Sequence, residues 1–257
     1  MDIWLRVAVY GTELILTYGL ISWMRSSQRG QREPWSFIFK ILAFGALTAV
    51  ISAFVELKYS FSVTALQQHS PALVAKYGNW YDFINNMSSS LIEELGKYMI
   101  GVFSLLSTKH VHKMSDTIVY LIIIGLGFSL VEDAIFLLNT DTAPILRLMS
   151  FYLHSGTSAI IGYSLGRFKF GLAGYRELVY AVFGAIGLHF AFNLTTNLGN
   201  SPLALYLAFF ISMYITLQIF ILFRRTLVEE YGLELRARRL KYTMLLNTSP
   251  VRPAKSC

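Results

Sequence analysis

Two adjacent glutamates, Glu93 and Glu94, and a lysine one turn later, Lys97, lie inside the apolar segment from Leu91 to Leu106. A bilayer tolerates ionisable side chains least at that depth, and where they occur inside membrane segments they mark chemistry or transport. Three later apolar stretches also carry ionisable groups near their middles: Glu132 and Asp133, then His154, then His189. Peptide hydrolysis needs a base that activates water, donors for the developing oxyanion and an acid for the leaving amine, and carboxylates with imidazoles fill those roles. Glu93 or Glu94 is expected as the general base, His154 and His189 as oxyanion donors or proton shuttles, and Glu132 as partner or second base. The adjacent pair can share a proton, and position in the chain does not rank the two.

Such residues need helices to hold them. The 257 residues are 54% hydrophobic and 14% charged, against about 25% charged in ordinary soluble domains, which points to a polytopic membrane protein. Runs of about 20 mostly apolar residues give seven spans: 3–24, 37–57, 83–106, 117–138, 145–166, 178–198 and 203–223. The fold expected is therefore all-α, a bundle of about seven transmembrane helices. The first span carries Arg6 and Glu13 and has no small-residue cleavage signature, so it reads as a retained helix. Residues 1–223 form one helical domain, with the site residues between about 83 and 198, and 224–257 is a basic tail. No repeat is visible.

Lysine and arginine mark alternate connections: Arg25, Arg29 and Arg32, then Lys109 and Lys113, then Arg167, Lys169 and Arg176, then eight in the tail. Basic connections stay inside, so the C-terminus is expected in the cytoplasm and the N-terminus outside, with the protein in the plasma or inner membrane. The formal charge of +7 follows from orientation and from anionic headgroups, and no nucleic-acid partner is expected. Cys257 is the one cysteine and offers no internal disulfide. Leu227 to Leu246 is expected as an amphipathic helix along the inner surface, followed by a disordered end from Asn247. The connection Lys58 to Trp80 reads as an interfacial helix rather than a lid.

On the third span Asn86, Ser90, Glu93, Glu94, Lys97 and Gly101 recur at helical spacing, a polar stripe that must face protein or water. Gly125, Ser129, Glu132 and Asp133 repeat the pattern on the fourth, with Phe128 one turn before Glu132. The fifth carries Arg147, His154, Ser158, Gly162 and Gly166, and its spaced glycines admit a close neighbour. On the sixth, Asn193 lies one turn after His189, placed to orient the imidazole or to bind the same substrate group. At 1.5 Å rise per residue, Glu93 lies about 15 Å from the outer end of its helix, Glu132 about 9 Å, and the two histidines about 13 Å, so one layer holds all four. Arg147, near an outer boundary, reads as a snorkelling anchor or a supporting residue, and Glu13 and Lys40 as pairing or snorkelling groups.

Glu93-Glu94-x-x-Lys97, Phe128-x-x-x-Glu132, Arg147 with His154, Gly162 and Gly166, and Gly187-Leu188-His189 with Asn193 together resemble the PrsW family of glutamic-type intramembrane proteases, distant relatives of the prenyl-protein endopeptidases. The resemblance covers spans three to six. It implies cleavage of a membrane-anchored protein, as in family members that make the first outer-side cut in an anti-sigma factor, and a metal-free mechanism. The family often has asparagine where this chain has Asp133, an extra carboxylate that bears on charge and metal affinity. A divalent metal such as zinc, if held, falls to Glu94, Glu132, His154 and His189. Two other classes use the same residues: a proton- or cation-coupled transporter, and a scaffold that binds single-pass partners without cleaving them.

Overall fold

A computed structural model describes residues 3–28, 32–69, 71–106, 111–139, 144–197 and 201–248. Its elements, among the described residues, are seven helices: α1 (Ile3–Ser27), α2 (Trp35–His69), α3 (Pro71–Leu106), α4 (Met114–Asn139), α5 (Pro144–Lys169), α6 (Tyr175–Asn197) and α7 (Pro202–Thr248). Each expected span falls within one of them, save that the sixth ends one residue past α6, at Leu198, outside the described residues. Apolar side chains such as Trp4, Phe39, Phe54, Met99, Phe103, Phe183 and Phe210 are exposed, while Glu94, Lys97, Asp133 and His154 are fully buried. That inversion of a soluble protein suits a lipid surround, and the chain is a polytopic helical membrane protein.

Five helices are long and apolar enough to cross a membrane, namely α1, α2, α4, α6 and α7. The two others, α3 and α5, carry the polar stripes. Burial of every residue from Met114 to Leu130 makes α4 the central helix, packed chiefly on α5 and α2. Glycines permit this closeness. A Cβ on Gly125 would lie 2.4 Å from the His154 carbonyl oxygen, and one on Gly166 2.3 Å from Thr117 Oγ1, so α4 and α5 meet along the spaced glycines of α5. Gly125→Leu is expected to force them apart at a cost of about 1–3 kcal/mol, read as a lowered unfolding midpoint in detergent with activity falling in parallel.

Local chemistry sets the helix ends. Proline opens α3, α5 and α7, where its missing N–H costs nothing, and Ser201 caps α7 by accepting from the Ala204 N–H at 3.2 Å. Asp116 in the first turn of α4 accepts from the His112 and Lys113 N–H groups at 2.9 and 3.0 Å. After α5 the Leu172 N–H reaches the Arg167 carbonyl and the Gly171 N–H that of Phe168, a closing turn for which Gly171 takes φ +70°.

One feature differs from expectation, and another, the connection between the second and third spans, is helical as expected. Helix α7 runs uninterrupted through the stretch expected as a separate surface helix. Its carboxylates find partners on the bundle: Glu229 accepts from Tyr163 and Arg167 of α5, both at 2.8 Å, and Glu230 accepts from the Ser115 N–H of α4. The connection between the second and third spans is helical on both sides of Ser70, as α2 and α3 reach His69 and Pro71. Of the end expected as disordered from Asn247, Asn247 and Thr248 close α7, and the rest lies outside the described residues.

Candidate active site

Neighbours on a helix point about 100° apart, so Glu93 and Glu94 meet different partners. Glu94, fully buried, is tied through one oxygen: its Oε1 accepts from Lys97 Nζ at 2.6 Å and Thr157 Oγ1 at 3.1 Å, and lies 2.7 Å from His189 Nδ1, while its Oε2 has no hydrogen-bond partner and no imidazole beside it in the way that Glu93 Oε2 has two. A carboxylate only accepts, so His189 carries its hydrogen on Nδ1 and keeps a lone pair on Nε2.

Lys97 also fixes the other imidazole. Its ammonium is 3.0 Å from His154 Nδ1, and an ammonium only donates, so His154 accepts there and carries its hydrogen on Nε2. Glu132 Oε2 lies 2.5 Å from that nitrogen, so carboxylate and imidazole face each other as a close pair. Phe128 floors this corner, its ring 4.9 Å from the His154 ring and 4.8 Å from the Lys97 ammonium.

Glu93 is held by one oxygen only. Its Oε1 accepts from Ser89 Oγ at 2.9 Å, and the same hydroxyl is 3.1 Å from Glu56 Oε1 of α2. Its Oε2 is buried without a hydrogen-bond partner, 3.8 Å from His189 Nε2 and 3.9 Å from His154 Nδ1. The imidazoles stand edge to face across it, 5.1 Å apart.

Behind Glu132 is a second charged layer. Arg147 Nη1 lies 3.3 Å from Glu132 Oε1 and 3.2 Å from Asp133 Oδ1, its guanidinium stacks 4.2 Å from the Phe136 ring, and Ser129 donates to Asp133 Oδ2 at 2.8 Å. Glu13, fully buried on α1, adds its carboxylate to the field of Arg147 and Glu132, and neither of its oxygens has a hydrogen-bond partner.

The five residues expected to do chemistry thus converge, as their common depth implied, with Lys97, Phe128, Arg147 and Asp133 around them. Other expectations change. Asn193 does not orient His189: it donates to Ser90 Oγ of α3 at 3.2 Å, because that hydroxyl faces it across the α3–α6 contact while His189 is held by Glu94. Arg147 and Glu13 do not snorkel, since both are buried. Ser89, Thr157 and Glu56 were not singled out from sequence. Ser89 and Thr157 stand four and three residues from Glu93 and His154 on the same helices, a spacing that signals them, whereas Glu56, close to the end of an apolar run, gives no such signal.

The donors also bear on a metal. One atom each from Glu93, His154 and His189 lies within 4.8 Å of the others, a set that replaces Glu94 with Glu93, since Glu94 Oε1 is taken by Lys97. His189 donating to Glu94 while keeping Nε2 open matches the way metal-ligating histidines are oriented. Glu93 Oε2, without a hydrogen-bond partner, and His189 Nε2 are oxygen and nitrogen ligands of the kind zinc takes. His154 joins them only if Lys97 releases Nδ1. The residues therefore fit a divalent metal, with His154 the conditional member.

Comparison with known proteins bears on the same residues. The family model described as PrsW family intramembrane metalloprotease matches residues 33–223. A protein named Protease PrsW from Geobacillus kaustophilus is 26% identical over 166 residues, 64% of this chain and 68% of that protein. A protein of the same name from Clostridioides difficile is 26% identical over 155 residues, 58% of this chain and 60% of its own length. No solved structure matches. The matched region includes every candidate site residue except Glu13.

Proposed function

The chain belongs to the PrsW family of intramembrane metalloproteases, and from that premise we propose that it hydrolyses a peptide bond of a membrane-anchored protein with Glu93 as general base. The observation that carries this assignment is the open, buried Glu93 Oε2 between two imidazoles whose hydrogens are held in opposite senses. A water between Glu93 Oε2 and His189 Nε2, 3.8 Å apart, is within hydrogen-bond reach of both. Glu93 takes its proton as the oxygen attacks the peptide carbonyl, and the developing oxyanion draws the His154 Nε2–H from Glu132 Oε2. That proton then passes to the amine as the C–N bond breaks, leaving an acid and an amine. Glu132 holds the Nε2 edge of His154 in place, while Glu94, Lys97 and Thr157 hold both rings in register.

Glu93 and His189, joined by His154 once Lys97 releases its Nδ1, are the residues that would hold a divalent metal, which when bound would supply Lewis-acid activation of water and carbonyl. Elemental analysis of purified protein separates the two mechanisms: about one zinc per chain, lost on Glu93→Gln, supports the metal form, and no metal in a cleaving preparation supports the glutamate and histidines acting alone.

The alternation of basic connections supports a cytoplasmic C-terminus and a cut nearer the outer face. A single-pass regulatory protein such as an anti-sigma factor is the substrate the family resemblance implies. The test compares N-terminal proteomes of membranes carrying the wild-type chain or Glu93→Gln at equal expression. New outer-side termini on single-pass proteins with wild type alone are expected; identical termini would move the reading to transport or scaffolding.

A further inference from the structure

We infer that Glu56 is a positioning residue for Glu93, acting through Ser89, and thereby aims the free oxygen of Glu93 at the two imidazoles; this rests on the assignment of Glu93 above. None of the sequence motifs includes Glu56. It lies on α2, partly exposed at one edge of the buried site, where its Oε1 is 3.1 Å from Ser89 Oγ. The same hydroxyl reaches Glu93 Oε1 at 2.9 Å. A hydroxyl has one hydrogen, so Glu56, Ser89 and Glu93 are one hydrogen-bonded unit rather than two independent pairs.

The consequence is geometric. Ser89 stands one turn from Glu93 on the same helix and, left alone, finds a backbone carbonyl one turn back, as Ser90 does with Asn86 at 2.9 Å. Glu56 in its acid form donates to Ser89 Oγ, and the hydroxyl then gives its one hydrogen to Glu93 Oε1 rather than to that carbonyl. Glu93 Oε1 is thereby occupied and Oε2 left for chemistry. A carboxylate that turns freely about its last bond does not hold an attacking water in one place, and small misplacements in such sites cost large factors in rate.

The test uses full-length protein in nanodiscs with a single-pass substrate identified by the proteome comparison. Glu56→Ala is expected to lower kcat about 10–100-fold, the usual range for groups that orient a reacting residue, with KM unchanged. Glu56→Gln, whose amide still bonds to Ser89 Oγ, recovers most of that loss. Wild-type kcat in Glu56→Ala, or equal losses in the alanine and glutamine variants, overturns the inference without touching the protease assignment. If wild type cleaves nothing, the protease assignment fails and unfolding midpoints decide the rest. Glu56→Ala with Ser89→Ala is then expected to cost no more than the larger single change, and full additivity sinks the coupling.

Discussion

Glu93→Gln is expected to lower kcat by about 10²–10⁴-fold, the range a general base contributes, while leaving the unfolding midpoint close to wild type. The amide oxygen still accepts from Ser89, as Glu93 Oε1 does at 2.9 Å, and the atom that changes is the one without a hydrogen bond. Substrate capture and pull-down remain, because nothing that binds the rest of the substrate is removed. Single-turnover cleavage measured beside thermal unfolding checks both halves. Wild-type turnover in this variant would remove Glu93 from the chemistry and leave the open oxygen without a role.

The neighbouring residue is expected to fail in the opposite way. Glu94 and Lys97 are a fully buried pair at 2.6 Å, and Glu94→Ala leaves the lysine charged in the core with only His154 and Phe128 beside it. Breaking a buried pair by removing one partner costs about 3–5 kcal/mol, so this variant is expected to unfold at a much lower midpoint and to be poorly retained in the membrane. Replacing both partners with apolar residues is often neutral. Glu94→Leu with Lys97→Met is therefore expected to recover most of the stability and none of the activity, since both imidazoles lose the groups that set their hydrogens. Equal stability in Glu94→Ala and Glu93→Gln would refute this division of labour.

These contrasting roles mark where sequence reading stops. Hydropathy and the three- and four-residue spacing of polar groups located the helices, the inward stripe and the common layer of Glu93, Glu132, His154 and His189, because those depend on periodicity alone. Which of two adjacent glutamates is locked depends on what α5 and α6 bring against α3, and periodicity carries no information about Thr157 or about which way an imidazole turns. Asn193 shows the limit well. It shares a face with His189, yet its amide donates to Ser90 on another helix. Glu56 was invisible for a related reason, since a carboxylate toward the end of an apolar run looks like an ordinary boundary residue until Ser89 is placed beside it. The continuation of α7 also escaped, because an amphipathic stretch reads the same whether it lies on a membrane or leans on Ser115, Tyr163 and Arg167.

The distribution of polarity among the helices has a consequence for how the protein is made. Five helices are apolar enough to partition into a bilayer unaided, whereas α3 and α5 are not, and each charged residue at a helix centre weighs roughly 2.5–3.5 kcal/mol against insertion. In the chain α3 follows the apolar α2 and α5 the apolar α4, so each polar helix has a greasy neighbour already emerging from the ribosome to pair with. His189 arrives later still, on α6. Glu93 waits in the membrane without its imidazoles until most of the chain has been translated, so nascent chains pass through the insertion machinery, crowded with other unfolded transmembrane segments, before they acquire the means to cut them.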